Sequence, residues 1–361
     1  MRCCLLALLL LAISVPAAES THAFPLWDGK ETVEAYAKRV NLPATKSVDL
    51  GGGVSMELVL IPAGKFVMGS AEPAKPTITL DGATLLFLTG AFFVQMLALV
   101  MFFMRGRGRK FTFSLRTLLL MTLACGMMVG GGARCFLARE DAARYAADRA
   151  LYDQLPDEEK PGHRVTLAQP FYMGKYTVTQ AQYEAVVGNN PSHFKGAQLP
   201  VETVSWNDAT AFCAKLNDRF KVDALDARLP TEAQWEFACR AGSRTQFYSG
   251  DQYSDLDDVA WYESNSSGKT HPVGTKKSNA FGLYDMHGNV RQWCHDAFHL
   301  QEANSAHPFD EQYAGRALRG GSWTHPANSC RSAFRENYDR SFRSSYDGFR
   351  IVVPVPTAES P

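Results

Sequence analysis

Between Arg319 and Arg331 the chain reads Arg-Gly-Gly-Ser-Trp-Thr-His-Pro-Ala-Asn-Ser-Cys-Arg, which brings a hydroxyl (Ser322), an imidazole (His325) and a thiol (Cys330) onto one short segment. A neutral imidazole can move a proton or ligate a metal. A thiolate suits soft metal ions. One histidine with one cysteine is a sparse donor set, and a hydrogen-bonded or surface histidine is the alternative reading of His325. These three side chains are the candidates for chemistry.

The surrounding sequence says what must hold them. Upstream lies Gly282-Leu-Tyr-Asp-Met-His-Gly-Asn-Val-Arg-Gln-Trp293, and downstream Gly348-Phe349-Arg350. Gly282, Gly288, Gly320, Gly321 and Gly348 mark tight turns or close backbone approaches. Tyr284, Trp293, Trp323 and Phe349 supply the buried area that pins such irregular loops. Regular elements are few. Met56–Ile61, ended by Pro62, and Arg164–Leu167 have strand patterns. Asn207 to Leu216 carries an N-cap candidate and the apolar residues Ala211, Phe212 and Leu216, as a core-packed helix would. Thr231 to Gln234 can cap a further helix with Trp235, Phe237 and Ala238 inward. Glu31 to Val40 predicts a short amphipathic helix with Val33, Tyr36, Ala37 and Val40 on one face.

Lysine plus arginine equals aspartate plus glutamate at 37 each, and the charges are dispersed, so a nucleic-acid partner is not expected. No P-loop, dinucleotide fingerprint or metalloprotease helix is present. The start, Met1-Arg2-Cys3-Cys4 followed by an uncharged run from Leu5 to Val15 and then Pro16-Ala17-Ala18, predicts a signal peptide over residues 1–18, with an uncleaved anchor as the alternative. Residues 83–104 are free of charge, and residues 115–132 contain only Arg116, near one end. Both runs are long enough to span a bilayer, which predicts a transmembrane hairpin over 83–132. Buried core helices are the alternative. The loop Arg105-Gly-Arg-Gly-Arg-Lys110 would stay cytoplasmic, leaving the flanking parts on the extracytoplasmic side, where a signal peptide would also send them. The polar segment 133–161, with Arg139, Glu140, Asp141, Arg144, Asp148 and Arg149, predicts a solvated linker helix.

Several motifs occur in order: Phe66-Val-Met-Gly-Ser70, Tyr172-Met-Gly-Lys-Tyr-Thr-Val-Thr-Gln180, Val204-Ser-Trp-Asn-Asp-Ala209, Arg228-Leu-Pro-Thr-Glu-Ala-Gln-Trp-Glu236 and the three glycine-aromatic motifs above. Together they resemble the formylglycine-generating enzymes, or sulfatase-modifying factors, over roughly residues 51–70 and 160–353. The resemblance implies an α+β, C-type-lectin-like fold, loop-rich and low in regular secondary structure, here interrupted by the hairpin. Its organisation would be a helical extension over 19–50, a first part of the domain over 51–70 and the main part over 162–354.

The resemblance also implies where chemistry should sit. Active relatives oxidise a substrate cysteine with a copper-binding cysteine pair after Gly-Gly-Ser. Aligned from Gly320, His325 takes the first cysteine position and Cys330 the second. Aligned back from Gly348-Phe349-Arg350, Cys330 falls beside the catalytic position. Either way one cysteine is missing, so copper is not expected. Arg291 and Gln292 stand where relatives have tryptophan and glutamate, which changes the shape and charge of the substrate groove. The Gly282–Trp293 loop resembles a calcium loop of the family, with Asp285, the Gly288 and Val290 carbonyls and Gln292 as oxygen ligands. A loop closed by hydrogen bonds alone is the alternative. Cys239 matches a disulfide position whose usual partner is absent, with Cys330 or Cys294 as substitutes, and Cys213 lacks its partner because Ile351 replaces it.

The expected function is therefore a membrane-tethered extracytoplasmic binding or accessory module of this family, with a protein or peptide ligand and no oxidase activity. The alternative is a formylglycine-generating oxidase that converts a sulfatase cysteine. A non-haem iron oxidase would need a histidine-rich helical domain, and the 9 histidines form no such cluster.

Overall fold

A computed structural model describes residues 24–70, 162–220, 225–297 and 315–356, with a few positions between 146 and 160. The chain divides into one unit of Met1–Gly69 with His163–Pro361 and a second of Ser70–Gly162. The signal-peptide segment and both apolar runs, 83–104 and 115–132, lie outside the described residues. Among those described, no helix is long and apolar enough to cross a membrane. In the second unit, Arg149 Nε meets Asp153 Oδ1 at 2.9 Å, four residues on.

The first unit mixes short helices with three small sheets. Helix α1 (Val33–Arg39) leads into β1 (Thr45–Gly51), β2 (Val54–Ile61) and β3 (Gly64–Met68). After the second unit the chain returns as β4 (His163–Leu167) and β5 (Phe171–Gly174), then α2 (Gln180–Val187), α3 (Trp206–Arg219) and α4 (Glu232–Arg240). Strands β6 (Arg291–Ala297), β7 (Arg316–Arg319), β8 (Arg335–Tyr338), β9 (Asp347–Gly348) and β10 (Val352–Pro354) complete it. The sheet orders are β1-β2-β5-β10, β3-β4 and β8-β7-β6-β9, antiparallel throughout except for the parallel β6–β9 pair. From Ala241 to Val290 the described chain has one 3-10 turn (Tyr253–Leu256) and otherwise no helix or sheet strand. This is the loop-rich, mixed architecture anticipated from the glycines and aromatics.

The helices are too short to persist alone. Each of the three after β5 begins with a capping box, Thr179 with Gln182, Ser205 with Asp208 and Thr231 with Gln234, and tertiary packing completes them. The cap of α3 is Ser205, one residue before the helix, and its buried face is Ala209, Phe212, Cys213 and Leu216. Ala211, expected inward, points to solvent because it lies off that stripe. Helix α1 is capped by Thr32 and buries Val33, Tyr36 and Ala37, with Tyr36 Oη accepting from Ala63 N at 3.2 Å.

One core gathers these elements around Trp235, Trp293, Phe212, Phe349 and Tyr172, all fully buried or nearly so. Phe212 stacks on Tyr183 at 5.6 Å and meets Phe349 edge-on at 5.2 Å. Burying an aromatic side chain of this kind contributes roughly 4–6 kcal/mol before entropy is subtracted. A second, smaller apolar cluster of Phe247, Leu256, Val259, Ala260, Tyr262, Ala327 and Cys330 lies under the irregular loops.

Candidate functional site

Strand β7 delivers the chain to Gly320-Gly321-Ser322, and the loop that follows can fold only because of its glycines. At Gly321 the backbone is left-handed (φ +69°), and a Cβ there would lie 2.5 Å from Cys330 Sγ. At Gly288 (φ +70°) a Cβ would strike the Trp261 carbonyl. A side chain at Gly321 would force the 322–330 loop open, and one at Gly288 would displace the Trp261 backbone.

Two of the three predicted residues meet. Ser322 Oγ lies 2.5 Å from His325 Nδ1, and the other ring nitrogen, Nε2, faces Glu336 Oε2 at 3.6 Å. Glu336 comes from β8 and is ion-paired with Arg291 of β6, whose Nε also meets Asp347 Oδ1 at 2.7 Å. The Arg291 guanidinium lies between two rings, 4.6 Å from Tyr338 and 4.7 Å from Tyr346. Arg291 and Asp347 are buried, while His325 and Glu336 keep partial exposure. The result is a chain of polar contacts from Ser322 to Asp347.

The electrostatics follow from that burial. Desolvation works against the charge of Arg291, but the Asp347 and Glu336 carboxylates outweigh it and hold the guanidinium above its usual value. Burial pushes the Asp347 carboxyl up, with Arg291 opposing. Burial also raises Glu336, yet its bonds to His325 and Arg291 bring it below the usual carboxylate range.

Cys330 is elsewhere. It is fully buried in the small apolar cluster, and burial pushes its thiol up to about 12. Its apolar surroundings favour the neutral thiol over the thiolate that copper binds. Both nitrogens of His325 already face Ser322 and Glu336. With one buried thiol and an imidazole engaged on both nitrogens, the donor set does not fit copper. Among the described residues no group of three or more His, Cys, Asp or Glu side chains could hold a metal. Ser322 is buried as well, so its hydroxyl acts as a clamp on the loop and not as an exposed nucleophile.

The expected calcium ligands also have other partners. Gln292 Oε1 accepts from Trp235 Nε1 at 2.8 Å and from Arg350 Nε at 2.7 Å, and Gln292 Nε2 donates to the Asp285 carbonyl at 2.8 Å. The Asp285 carboxylate accepts from Gly274 N at 2.8 Å and Asn289 Nδ2 at 3.3 Å. Both lone pairs of the Gln292 oxygen are used, and the Arg350 guanidinium already brings a positive charge to the loop. Gly288 and Val290 cannot form an oxygen shell with these two residues unless those bonds break. The residues do not fit calcium, and the loop is closed by hydrogen bonds and Arg350.

The four described domain cysteines are free thiols. Cys239 Sγ faces Ser332 Oγ at 3.7 Å and His287, so neither Cys330 nor Cys294 substitutes for the missing disulfide partner. Cys213 is buried and unpaired, as its missing partner implied.

Glu336, Asp347, Tyr338 and Tyr346 were not anticipated. The available signal was Arg291 itself, since an arginine beside the buried Trp293 and Cys294 needs a carboxylate partner if it is buried, though spacing cannot say which. His287 was missed too. It is fully buried, accepts from Tyr248 N at 3.1 Å, stacks on Tyr248 and is pushed down to about 3 by desolvation.

Comparison with known proteins places this architecture. The "Chaperone protein LppX" of Paenibacillus barcinonensis is 32% identical over 235 residues, covering 52% of this chain and 81% of that protein. The formylglycine-generating enzyme of Mus musculus is 28% identical over 216 residues, 55% of each chain. The "Inactive C-alpha-formylglycine-generating enzyme 2" of Mus musculus is 33% identical over 141 residues, covering 36% of this chain and 40% of that one. This chain thus spans about half or less of the two mouse proteins. Among solved structures, Treponema denticola variable protein 1 superposes with a TM-score of 0.57 at 24% identity, covering 87% of this chain and all of that one, a likeness of fold alone. Residues 128–355 match the sulfatase-modifying factor enzyme 1-like domain, a wider span than the motifs suggested after the interruption, and with that fold and this Gly-Gly-Ser loop the chain belongs to that family.

Proposed function

We propose that the protein is a membrane-tethered, extracytoplasmic binding or accessory module that has kept the family scaffold without copper-dependent cysteine oxidation. The observation that carries this reading is the position of Cys330, a thiol sealed in an apolar cluster with its pKa raised and, among the described residues, no second cysteine in that cluster. The active enzymes this chain resembles hold copper with a cysteine pair, and soft thiolates are what suit monovalent copper. The partly exposed face formed by His325, Glu336, Tyr338 and Tyr346 over the buried Arg291 is suited to contact, because tyrosine is enriched where partners meet. The names of two relatives, a chaperone and an inactive enzyme, support the same reading. The apolar runs at 83–104 and 115–132 support the tether.

A Cys-x-Pro-x-Arg peptide incubated with the full-length protein and copper should keep its thiol mass by mass spectrometry. Copper-stimulated loss of that mass, abolished in Cys330→Ser, would instead establish the oxidase. Labelling of single cysteines placed between Arg105 and Lys110 tests the tether, since that loop should be reached only from the cytoplasmic side.

A further inference from the structure

The residue at which the chain leaves the first unit is wired to the candidate site. Gly69 N donates to Glu236 Oε1 at 2.9 Å, and the Gly69 carbonyl accepts from Arg240 Nη2 at 3.1 Å. Both partners lie on α4, where Arg240 Nε also meets Glu236 Oε1 at 2.8 Å. The second oxygen of Glu236 pairs with Arg319 of β7, which is fully buried. Arg319 in turn donates through Nη1 to the Ala333 carbonyl and through Nη2 to the Ser332 carbonyl, each at 3.0 Å. Those carbonyls open the segment that becomes β8 and carries Glu336. A single carboxylate thus holds the exit of the first unit with one oxygen and, through one guanidinium, the loop of the candidate site with the other.

We propose that this relay, Gly69–Glu236–Arg319–Ser332/Ala333, couples the backbone at the base of the 70–162 insertion to the Ser332–Tyr338 segment, so that a displacement of the insertion's root alters the contact face around Glu336. Gly69 is partly exposed, but every later link is buried, and the two members of the central pair, Glu236 and Arg319, are each fully buried. In such a setting neither partner can be re-solvated, and displacement of Glu236 must be followed by Arg319. The return strand adds to the constraint, because β3 is paired along its length with β4 from Gly64↔Leu167 to Met68↔His163. The root of the insertion is therefore held by backbone on one side and by the relay on the other.

The test perturbs the root and reads the loop. Gly69 has a left-handed backbone (φ +83°), so Gly69→Ala strains that point without touching the site. In the full-length protein, hydrogen exchange of the Ser332 and Phe334 amides, which donate to Gln246 and Arg331, should speed up in Gly69→Ala by roughly 2- to 30-fold, the span expected of a coupled network. In a Glu236→Gln background, which keeps an acceptor for Gly69 but removes the nearer of the two carboxylate charges on Arg319 and leaves only Glu232 at 3.7 Å, Gly69→Ala should leave those amides unchanged. Lys175→Met, which cuts a surface pair with Glu57, is the control and should not move them. Faster exchange confined to β3 and β4, or an equal rise throughout the first unit, would overturn the relay. So would an undiminished effect of Gly69→Ala in Glu236→Gln. If Glu236→Gln fails to fold, Arg319→Lys, which keeps the charge but loses the fork that reaches both carbonyls, replaces it with the same expected outcome.

Discussion

Replacing Arg291 with methionine removes the cation from a pocket in which Asp347 is fully buried and Glu336 is one quarter exposed. Glu336 can turn toward water, but Asp347 cannot, and its second oxygen already lacks a hydrogen-bond partner among the described residues. Leaving one member of a buried pair behind costs about 3–5 kcal/mol. For a domain of this size that corresponds to a fall in Tm of roughly 6–20 °C. Urea unfolding followed by tryptophan fluorescence isolates the effect, because Trp27, Trp206, Trp235, Trp261, Trp293 and Trp323 all belong to the first unit. Arg291→Met/Asp347→Leu, which removes both charges, should recover at least about 2 kcal/mol, since an apolar replacement of a whole buried pair is often neutral. The pH dependence has a definite sign. Burial raises the folded Asp347 carboxyl, and losing Arg291 raises it further. A raised carboxyl stabilises the fold below its unfolded value and loses that contribution as pH rises through the folded value. The deficit of Arg291→Met should accordingly shrink as pH falls from 7 toward 5. A deficit below about 1 kcal/mol, or one that ignores pH and is not relieved in the double variant, would refute the view that Arg291 is there to neutralise Asp347.

Ser332→Cys should form a disulfide with Cys239, whose sulfur is 3.7 Å from the Ser332 oxygen across 93 residues of chain, and should stabilise the oxidised protein by about 4–5 kcal/mol in the loop-entropy description. Persistence of both thiols after mild oxidation, read by mass spectrometry, would show that the backbone cannot close the gap. His287, pushed down to about 3 by burial, should withdraw about 2 kcal/mol of stability between pH 7 and pH 5, since a depressed histidine stabilises above its unfolded value and loses that as pH falls. His287→Gln should flatten that part of the pH profile, and an unchanged slope would count against it. Calcium at millimolar concentration, or its chelation, should leave the Tm within about 1 °C, because mass action stabilises only where a folded site binds the ion, and a larger calcium-dependent rise abolished by Asp285→Ala would reinstate a metal in that loop.

The sequence by itself determined the family, the order of its motifs and most of its short elements. Glycines at left-handed or crowded positions, and Ser/Thr caps followed three residues later by Gln or Asp, act within a few residues, so their meaning survives without a structure. The absence of a second thiolate was equally legible, because copper ligation depends on residue identity before geometry. Which groups neutralise one another was decided only by the tertiary structure. Arg291 finds Asp347 and Glu336 some 50 positions away, Arg350 takes the Gln292 oxygen that a calcium ion would have needed, and Cys330 turns from its loop into an apolar cluster. These choices depend on which loops pack together, and burial then fixes their energies. A charge, a thiol or an imidazole has the same letter whether water reaches it or not, and only the packed fold settles how much water does.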